Sequence, residues 1–521
     1  MSPAPQHPDR SRPTPLAPAG VRGLARDVHR ALGREPLVPL AILTLVAAAI
    51  RVLFLDMPMR LDEATTFNEF VLQPWRATLG KYWATNNHPL HSVFAKLVVD
   101  MLGREPWVVR IPAFVSGVLV VPATFLVVAR MFSRRAAWFA AIAVTILPVF
   151  ILFSANARGY SLVVLFMLLQ WLALRDALIH GRRASWVLVA LLGALGVYTH
   201  LTMAYAYAGN AAWALLWSAR QRDGARRRVV ALVASGVASV AIAVVLYLPF
   251  VYISGIRALV ANENVSATSF ASFTRAFPIL LSRIGASWGM GLPPWMAAAC
   301  GIVAAIALLD GARARTAERA LPMVSTLVVL ALLVATLRVP PPRAVLYLLP
   351  GILGAVGGLI DRIASRLPRA QAVGVWAFAA VPLLTIGVSH VTRQPVRMRQ
   401  ETGWMPEARP IFDRLQESIQ PGDAIASTFL PRDILRYYYL RAGKGRAPLV
   451  PEVCPKPPHR LYLIVSSVES PVDVLTYAWL PRALAASARL LDQRGSYSIW
   501  VADVPEGVAC PTRIGRRPRD Q

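Results

Sequence analysis

Two adjacent carboxylates, Asp62 and Glu63, occur in the stretch MRLDEATTF, a few residues past the first long apolar run. In a soluble loop, Asp62 would read as an N-cap or first-turn residue of a short helix. Beside a membrane surface, the same pair could deprotonate an acceptor hydroxyl or hold a divalent metal ion. In TNNHPLHSVFAKL, Asn87 precedes His88 and His91, which share one face of a helix that Pro89 is suited to begin. Two histidines at this spacing fit metal ligation, or equally two polar rings capping an interfacial helix. FSANARGYSL sets Arg158 and Tyr160 in a short link between apolar runs, and LRVPPPRAVLYLLPG places Arg338 and Arg343 around a proline triplet ahead of Tyr347. A guanidinium is a planar, multi-donor fork that suits a phosphate or carboxylate. A lone arginine can also simply snorkel to the interface.

The chain that must position these groups is apolar. Of its 521 residues 56% are hydrophobic and only 16% charged, against about 25% charged in a typical soluble domain. A membrane protein follows. The net charge of +27 would suit a nucleic-acid binder, but the arginines fall in short clusters between apolar runs, so no nucleic-acid partner is expected. Apolar stretches near spanning length recur at about 37–55, 107–129, 136–153, 160–179, 185–201, 203–219, 229–252, 293–310, 321–337, 344–360 and 371–391. Within 185–219, Tyr198-Thr199-His200 reads either as a tight turn or as a polar kink in one longer helix.

Arginine placement supports about 11 transmembrane helices. Loops 130–135, 175–183, 220–228, 311–319 and 361–369 hold 3, 3, 5, 3 and 3 Lys plus Arg, and residues 1–36 add six arginines. The opposite short links 154–160, 199–203 and 338–343 hold 1, 0 and 2. This asymmetry puts the N-terminus inside. The first span lacks a small-residue cleavage site and reads as uncleaved. Residues 1–36 are then a basic, disordered cytoplasmic tail, and the Asp62, His88, Arg158 and Arg343 segments face outward. Two long outer loops, 57–106 (with Trp75 and Trp83, and Trp107 just past it) and 253–292, read as interfacial helices.

Beyond residue 391 the composition becomes that of a small soluble domain. Helix is expected at 409–420, 431–443 and 481–495, and strand at 424–429, 460–467 and 496–504, giving a small extracytoplasmic α/β domain over 392–521. Cys300 reads as a core residue of a span. Cys454 and Cys510 both fall in this domain, where an oxidising compartment permits a bridge and the sequence leaves bridged and free forms equally open.

The motifs together resemble the GT-C integral-membrane glycosyltransferases, in particular the bacterial branch similar to dolichyl-phosphate-mannose protein mannosyltransferases and lipid A aminoarabinose transferases. Asp62-Glu63 matches the acidic pair after the first span. His88-Pro89-Leu90 is similar to the family's His-Pro-Pro-Leu element with one proline missing, and Ala157-Arg158-Gly159-Tyr160 to its Ala-Arg-x-Tyr turn. Arg343, Tyr347 and Pro350 match a late Arg-Tyr pattern only loosely. The resemblance covers roughly 37–391. It implies inverting transfer of a sugar from a polyprenyl-phosphate donor to an envelope glycan, lipid or protein, at the outer face of a bacterial inner membrane. Asp62 would be the general base and Glu63 its support. Arg158, Arg338 and Arg343 would bind the donor phosphate, while Asn87, His88, His91, Tyr160 and Tyr347 would contact substrate. A divalent cation stays open. The alternatives are a lipid-linked saccharide flippase or transporter, which would need charged or broken spans, and a scaffold that displays the α/β domain.

Overall fold

The computed structural model describes residues 37–82, 87–260, 269–314, 316–444, 447–450 and 459–505. The N-terminal tail, Trp83, Cys454 and Cys510 lie outside the described residues, and so does the bridge considered for the two cysteines. Each of the eleven apolar stretches is helical. The helices are Leu37–Val52, Pro106–Met131, the pair Arg134–Ile146 and Pro148–Ser154, Tyr160–His180, Arg183–Thr199, Met203–Gln221, Ala225–Ser254, Pro294–Ala312, Ala317–Ala335, Leu349–Ala364 behind a 3₁₀ turn Pro342–Leu348, and Arg369–Thr392. Among the described residues seven helices are long and apolar enough to cross a membrane, or eight if the bent pair counts as one span. The chain is therefore a polytopic membrane protein. The expected figure of eleven crossings goes beyond these, since Leu37–Val52 and Arg183–Thr199 are shorter apolar helices and Met203–Gln221 is not among the candidate spans. Tyr198-Thr199-His200 ends a helix rather than kinking one, because the next begins at Met203.

The 59° bend between Arg134–Ile146 and Pro148–Ser154 has a local cause. Pro148 has no N–H, so the carbonyl of Val144 loses its helical donor. Arg51 supplies the replacement: Nη2 donates to Val144 O at 3.0 Å and Nη1 to Thr145 O at 3.2 Å, while Nε donates to Ser154 Oγ at 3.1 Å. Arg51 is fully buried, so its charge serves as a multi-donor cap on a broken helix.

The two long loops carry the helices Leu61–Thr66, Trp75–Gly80, Pro89–Leu102, Ile256–Val260 and Phe270–Trp288, with a π-helical turn at Phe67–Val71. After residue 391 comes a mixed sheet of β1 (Ala424–Ser427), β2 (Arg460–Ser466), β3 (Arg489–Arg494) and β4 (Tyr497–Asp503) in the order β1-β2-β4-β3. β1 and β2 are parallel, with Ile425 opposite Tyr462, and β4 lies antiparallel to β2, with Trp500 opposite Leu463. The helix expected at 481–495 is corrected here: Arg482–Ser487 is a 3₁₀ turn and Arg489–Arg494 a strand. Gly495 in the left-handed region (φ 51°) closes a hairpin, and pairing with β4 overrides the helix-forming residues of ALAASARLLDQ. A helix at Pro471–Tyr477, capped by Ser470, was missed.

The sheet domain is fastened to the Asp62 segment. Met59, Ala64, Phe67, Tyr437 and Tyr438 belong to one buried core, and the Phe67 and Tyr437 rings meet edge-on at 5.0 Å. Burying such side chains is worth about 1.5–3 kcal/mol each, against about 1 kcal/mol for a hydrogen bond. Packing therefore supplies the affinity, and the hydrogen bonds supply the register. Thr65 Oγ1 donates to Asp433 Oδ2 at 3.0 Å, and Asn68 Nδ2 to the Asp433 carbonyl at 2.9 Å. The backbone amides of Leu61 and Asp62 donate to the carbonyls of Gly403 and Thr402 at 2.9 and 3.2 Å.

Candidate active site

Asp62 and Glu63 are consecutive residues of the Leu61–Thr66 helix, so their side chains leave it about 100° apart. That angle separates their fates. Asp62 lines a cavity and retains 19% side-chain exposure. Glu63 is fully buried, takes Arg110 Nε at 2.7 Å and Nη2 at 2.6 Å in a bidentate pair, and accepts the amides of Ala157 and Arg60 at 2.7 and 3.0 Å. Burial alone would raise the Glu63 carboxyl, but the Arg110 charge and these hydrogen bonds outweigh it and hold it below the usual carboxylate range. Glu63 thus ties the Asp62 helix to the Pro106–Met131 helix and to the Ala157-Arg158 link.

The cavity measures about 1830 Å³, well above the roughly 300–1,000 Å³ that encloses a drug-sized ligand. It has room for two large substrates at once. Its polar wall carries Asp62, Asn87, Arg158, Tyr160, His200, Arg338, Arg343 and Glu401, and Leu259, Ile279 and Leu280 of the loop helices form an apolar flank. Arg338 reaches the wall just past a left-handed Leu337 (φ 50°), where its amide bonds back to the Leu333 carbonyl at 3.0 Å and closes the Ala317–Ala335 helix. Arg158 and Arg343 converge on one phenol. Arg343 Nε donates to the Tyr160 hydroxyl at 2.9 Å and Arg158 Nη2 at 3.5 Å, and each guanidinium carbon lies 5.7 Å from the Tyr160 ring centroid. Arg343 also reaches Asp62 Oδ2 at 3.3 Å and Glu401 Oε1 at 3.4 Å.

His88 and His91 lie behind this wall, next to His200 on it. His88 is the N-cap of Pro89–Leu102, with Pro89 at the first helical position as expected. Its Nδ1 accepts the Gly159 amide at 3.1 Å, and its ring packs at 4.6 Å on His200 and 4.8 Å on Tyr160. Asn87 Oδ1 accepts Ser92 Oγ at 2.9 Å. His91 is fully buried and stands off the cavity. Burial, reinforced by the positive charge of Arg158, lowers His91 and His200 to about 3. These rings are neutral near neutral pH. Unfolding lets each regain its ordinary value of about 6.5, so the unfolded chain takes up protons first as pH falls. Stability is expected to drop between about pH 6.5 and 3. His91→Met should flatten this decline when thermal unfolding in detergent is followed from pH 7 to 4.

Four residues expected at the substrate stand off the cavity. Glu63, His88 and His91 sit behind the wall, as described. Tyr347 is buried on the far side of the 3₁₀ turn Pro342–Leu348 and borders a separate small void. At three residues per turn it faces about 120° away from Arg343. The hypothesis that paired carboxylates and histidines gather around one ion also meets a geometric obstacle: among the described residues no group of three or more His, Cys, Asp or Glu is placed to hold a metal. Sequence reasoning missed Glu401, His200 and Arg399. His200 had a signal, since it ends the Tyr-Thr-His break already noted. Glu401 had none.

Residues 86–248 match the family model described as dolichyl-phosphate-mannose-protein mannosyltransferase, a stretch that includes Asn87, His88, Arg158 and Tyr160. The fold is similar to that of ArnT from Cupriavidus metallidurans in the apo state, with a TM-score of 0.58 and 16% identity over 88% of this chain and 97% of that one. For the same protein bound to undecaprenyl phosphate the TM-score is 0.55, at the same identity and coverage. The Archaeoglobus fulgidus oligosaccharyltransferase in the apo form gives 0.51 at 11% identity, over 83% of this chain and 70% of that one. No curated protein sequence matches the chain. The resemblance to GT-C enzymes read from the motifs is borne out by these matches.

Proposed function

We propose that the protein is a glycosyltransferase that moves a sugar from a polyprenyl-phosphate-linked donor to an envelope acceptor, a glycan, lipid or protein, at the outer face of the membrane. The observation that carries this reading is the convergence of Arg158 and Arg343 on Tyr160 within reach of Asp62. Two like charges gathered on one phenol favour a bound anion, and a carboxylate beside that anion is placed to take a proton. Asp62 removes the acceptor O–H proton, and the acceptor oxygen bonds to the anomeric carbon from the face opposite the phosphate. The bond from that carbon to the phosphate oxygen breaks, its electron pair staying with the polyprenyl phosphate, so configuration inverts. The leaving group gains a negative charge, which the arginines neutralise without having to protonate it. Arg338 on the same wall extends the anion site.

A flippase would need ionisable groups free to act along the spans. The two fully buried span arginines are instead occupied, Arg51 by carbonyls and Ser154 and Arg110 by Glu63 and carbonyls. The test is purified protein given a short-chain polyprenyl-phosphate sugar and envelope extract, with mass spectrometry of the products. Acceptor-dependent release of polyprenyl phosphate, together with one glycosylated species absent from cells lacking the protein, is expected. If neither forms, the reading is wrong. Arg343→Ala should lower kcat about 10²–10³-fold, as loss of a preorganised charge at a developing anion does.

A further inference from the structure

The helix Phe270–Trp288 packs against the 3₁₀ turn Pro342–Leu348, the turn that carries Arg343. It meets the rest of the protein through Phe273, Leu280 and Ser287, which recur every seven residues and are buried. At about 100° per residue, Ala276, Ile279 and Arg283 fall within an arc of about 60° beside that stripe, and all three line the large cavity. Two of them find little in the protein to hold. Ile279 is an apolar side chain left 54% exposed. Arg283 is exposed, and among the described residues its guanidinium has no ion pair and no hydrogen bond. Arg275, on the same helix but off the cavity, instead turns its Nε back to the Ala271 carbonyl at 3.2 Å. An exposed isoleucine and an unpaired cation, about 6 Å apart along one helix axis, match an amphiphile with an anionic head.

Resting on the reading of the site as a polyprenyl-phosphate-dependent transferase, we propose that the Phe270–Trp288 helix recognises the donor at both ends of its head: Arg283 binds the phosphate, and Ile279 receives the adjoining prenyl chain. Which substrate the helix serves follows from its place. In that reading the phosphate belongs at the arginines and the acceptor hydroxyl at Asp62. The helix packs on the turn of Arg343, so a cation on its cavity face adds to the phosphate side. An acceptor hydroxyl finds no hydrogen-bond partner in Ile279, whereas a prenyl chain loses water by lying on it. The two arginines then act differently. Arg343 is anchored on Tyr160 and meets the charge that develops as the bond to phosphate breaks. Arg283 has no such anchor and answers the charge that the bound donor already carries, so it acts on affinity more than on the chemical step. No bond forms or breaks in this recognition.

Head and chain can be separated by experiment. Binding to the purified protein in detergent is measured with a long polyprenyl phosphate and, by competition, with ethyl phosphate, which has the head without the chain. Arg283→Gln should weaken both about tenfold, the loss of one charge-assisted contact, and should raise the donor KM more than it lowers kcat. Arg283→Lys, which keeps the charge, should recover most of that loss. Ile279→Ser should weaken polyprenyl phosphate several-fold and leave ethyl phosphate as in wild type. A merely structural role would move both probes together in both variants, and neither side chain is buried, so folding should survive each change. Unchanged polyprenyl phosphate binding in Arg283→Gln, an effect of that variant on the acceptor KM alone, or equal weakening of both probes by Ile279→Ser would each overturn the proposal. Wild-type protein that neither binds polyprenyl phosphate nor releases it from a donor would instead overturn the functional reading beneath it.

Discussion

Replacing Asp62 with Asn is expected to abolish sugar transfer, with a loss of about 10²–10⁴-fold, the usual contribution of a positioned general base, while leaving the protein folded and able to bind polyprenyl phosphate. The substitution is close to isosteric. The Asp62 amide keeps its bond to the Thr402 carbonyl, and Arg343 keeps Tyr160 and Glu401 as partners. The side chain is partly exposed to the cavity, so no buried charge is stranded. Single-turnover assays with saturating donor separate the lost chemistry from binding, and thermal unfolding in detergent should superimpose on wild type. Transfer at the wild-type rate would remove Asp62 from the role of base.

The neighbouring residue is expected to behave in the opposite way. Glu63→Ala leaves Arg110 fully buried without its carboxylate and withdraws the acceptor of the Ala157 and Arg60 amides. Breaking one side of a buried pair typically costs about 3–5 kcal/mol, a large share of the 5–15 kcal/mol that holds a typical domain together. Thermal unfolding should show a marked loss, with any fall in activity tracking the folded fraction. The pH dependence has a defined sign. The folded carboxyl lies below its unfolded value, which is about 4.3. The stabilisation is therefore fully present above that pH and lost as pH falls below it. A Glu63→Ala protein as stable as wild type would mean that the pair contributes nothing net.

The contrast between these two residues marks where sequence reasoning stops. Adjacent carboxylates were visible, but their division of labour depends on which of two directions about 100° apart faces the cavity, and that is set by a partner 47 positions away. The apolar runs were legible as helices because each must satisfy its own backbone in lipid. Arg158 and Arg343 were legible because they fall in links that the charge bias leaves poor in basic residues, and Tyr160 because it follows Arg158 in the Ala-Arg-x-Tyr pattern. Glu401 was not, since it sits in an ordinary polar turn and gains meaning only across 58 positions from Arg343. The β3 segment misled for a related reason: its alanines and leucines favour a helix locally, and only the partner strand decides otherwise.

The fastening of Leu61 and Asp62 to the 399–403 strap bears on how the protein comes to life during synthesis. Arg60 finds its carbonyl partners 339 and 341 residues downstream, and Thr65 and Met59 wait for Asp433 and Tyr438. A nascent chain therefore carries its Asp62 segment for hundreds of residues before the groups that shape it have been translated. Until the last domain folds and docks, the motif lacks its backbone partners and the cavity lacks a wall. A chain stalled before residue 399 would lack the carbonyls that hold Arg60 and the strap that pairs with the backbone of Leu61 and Asp62.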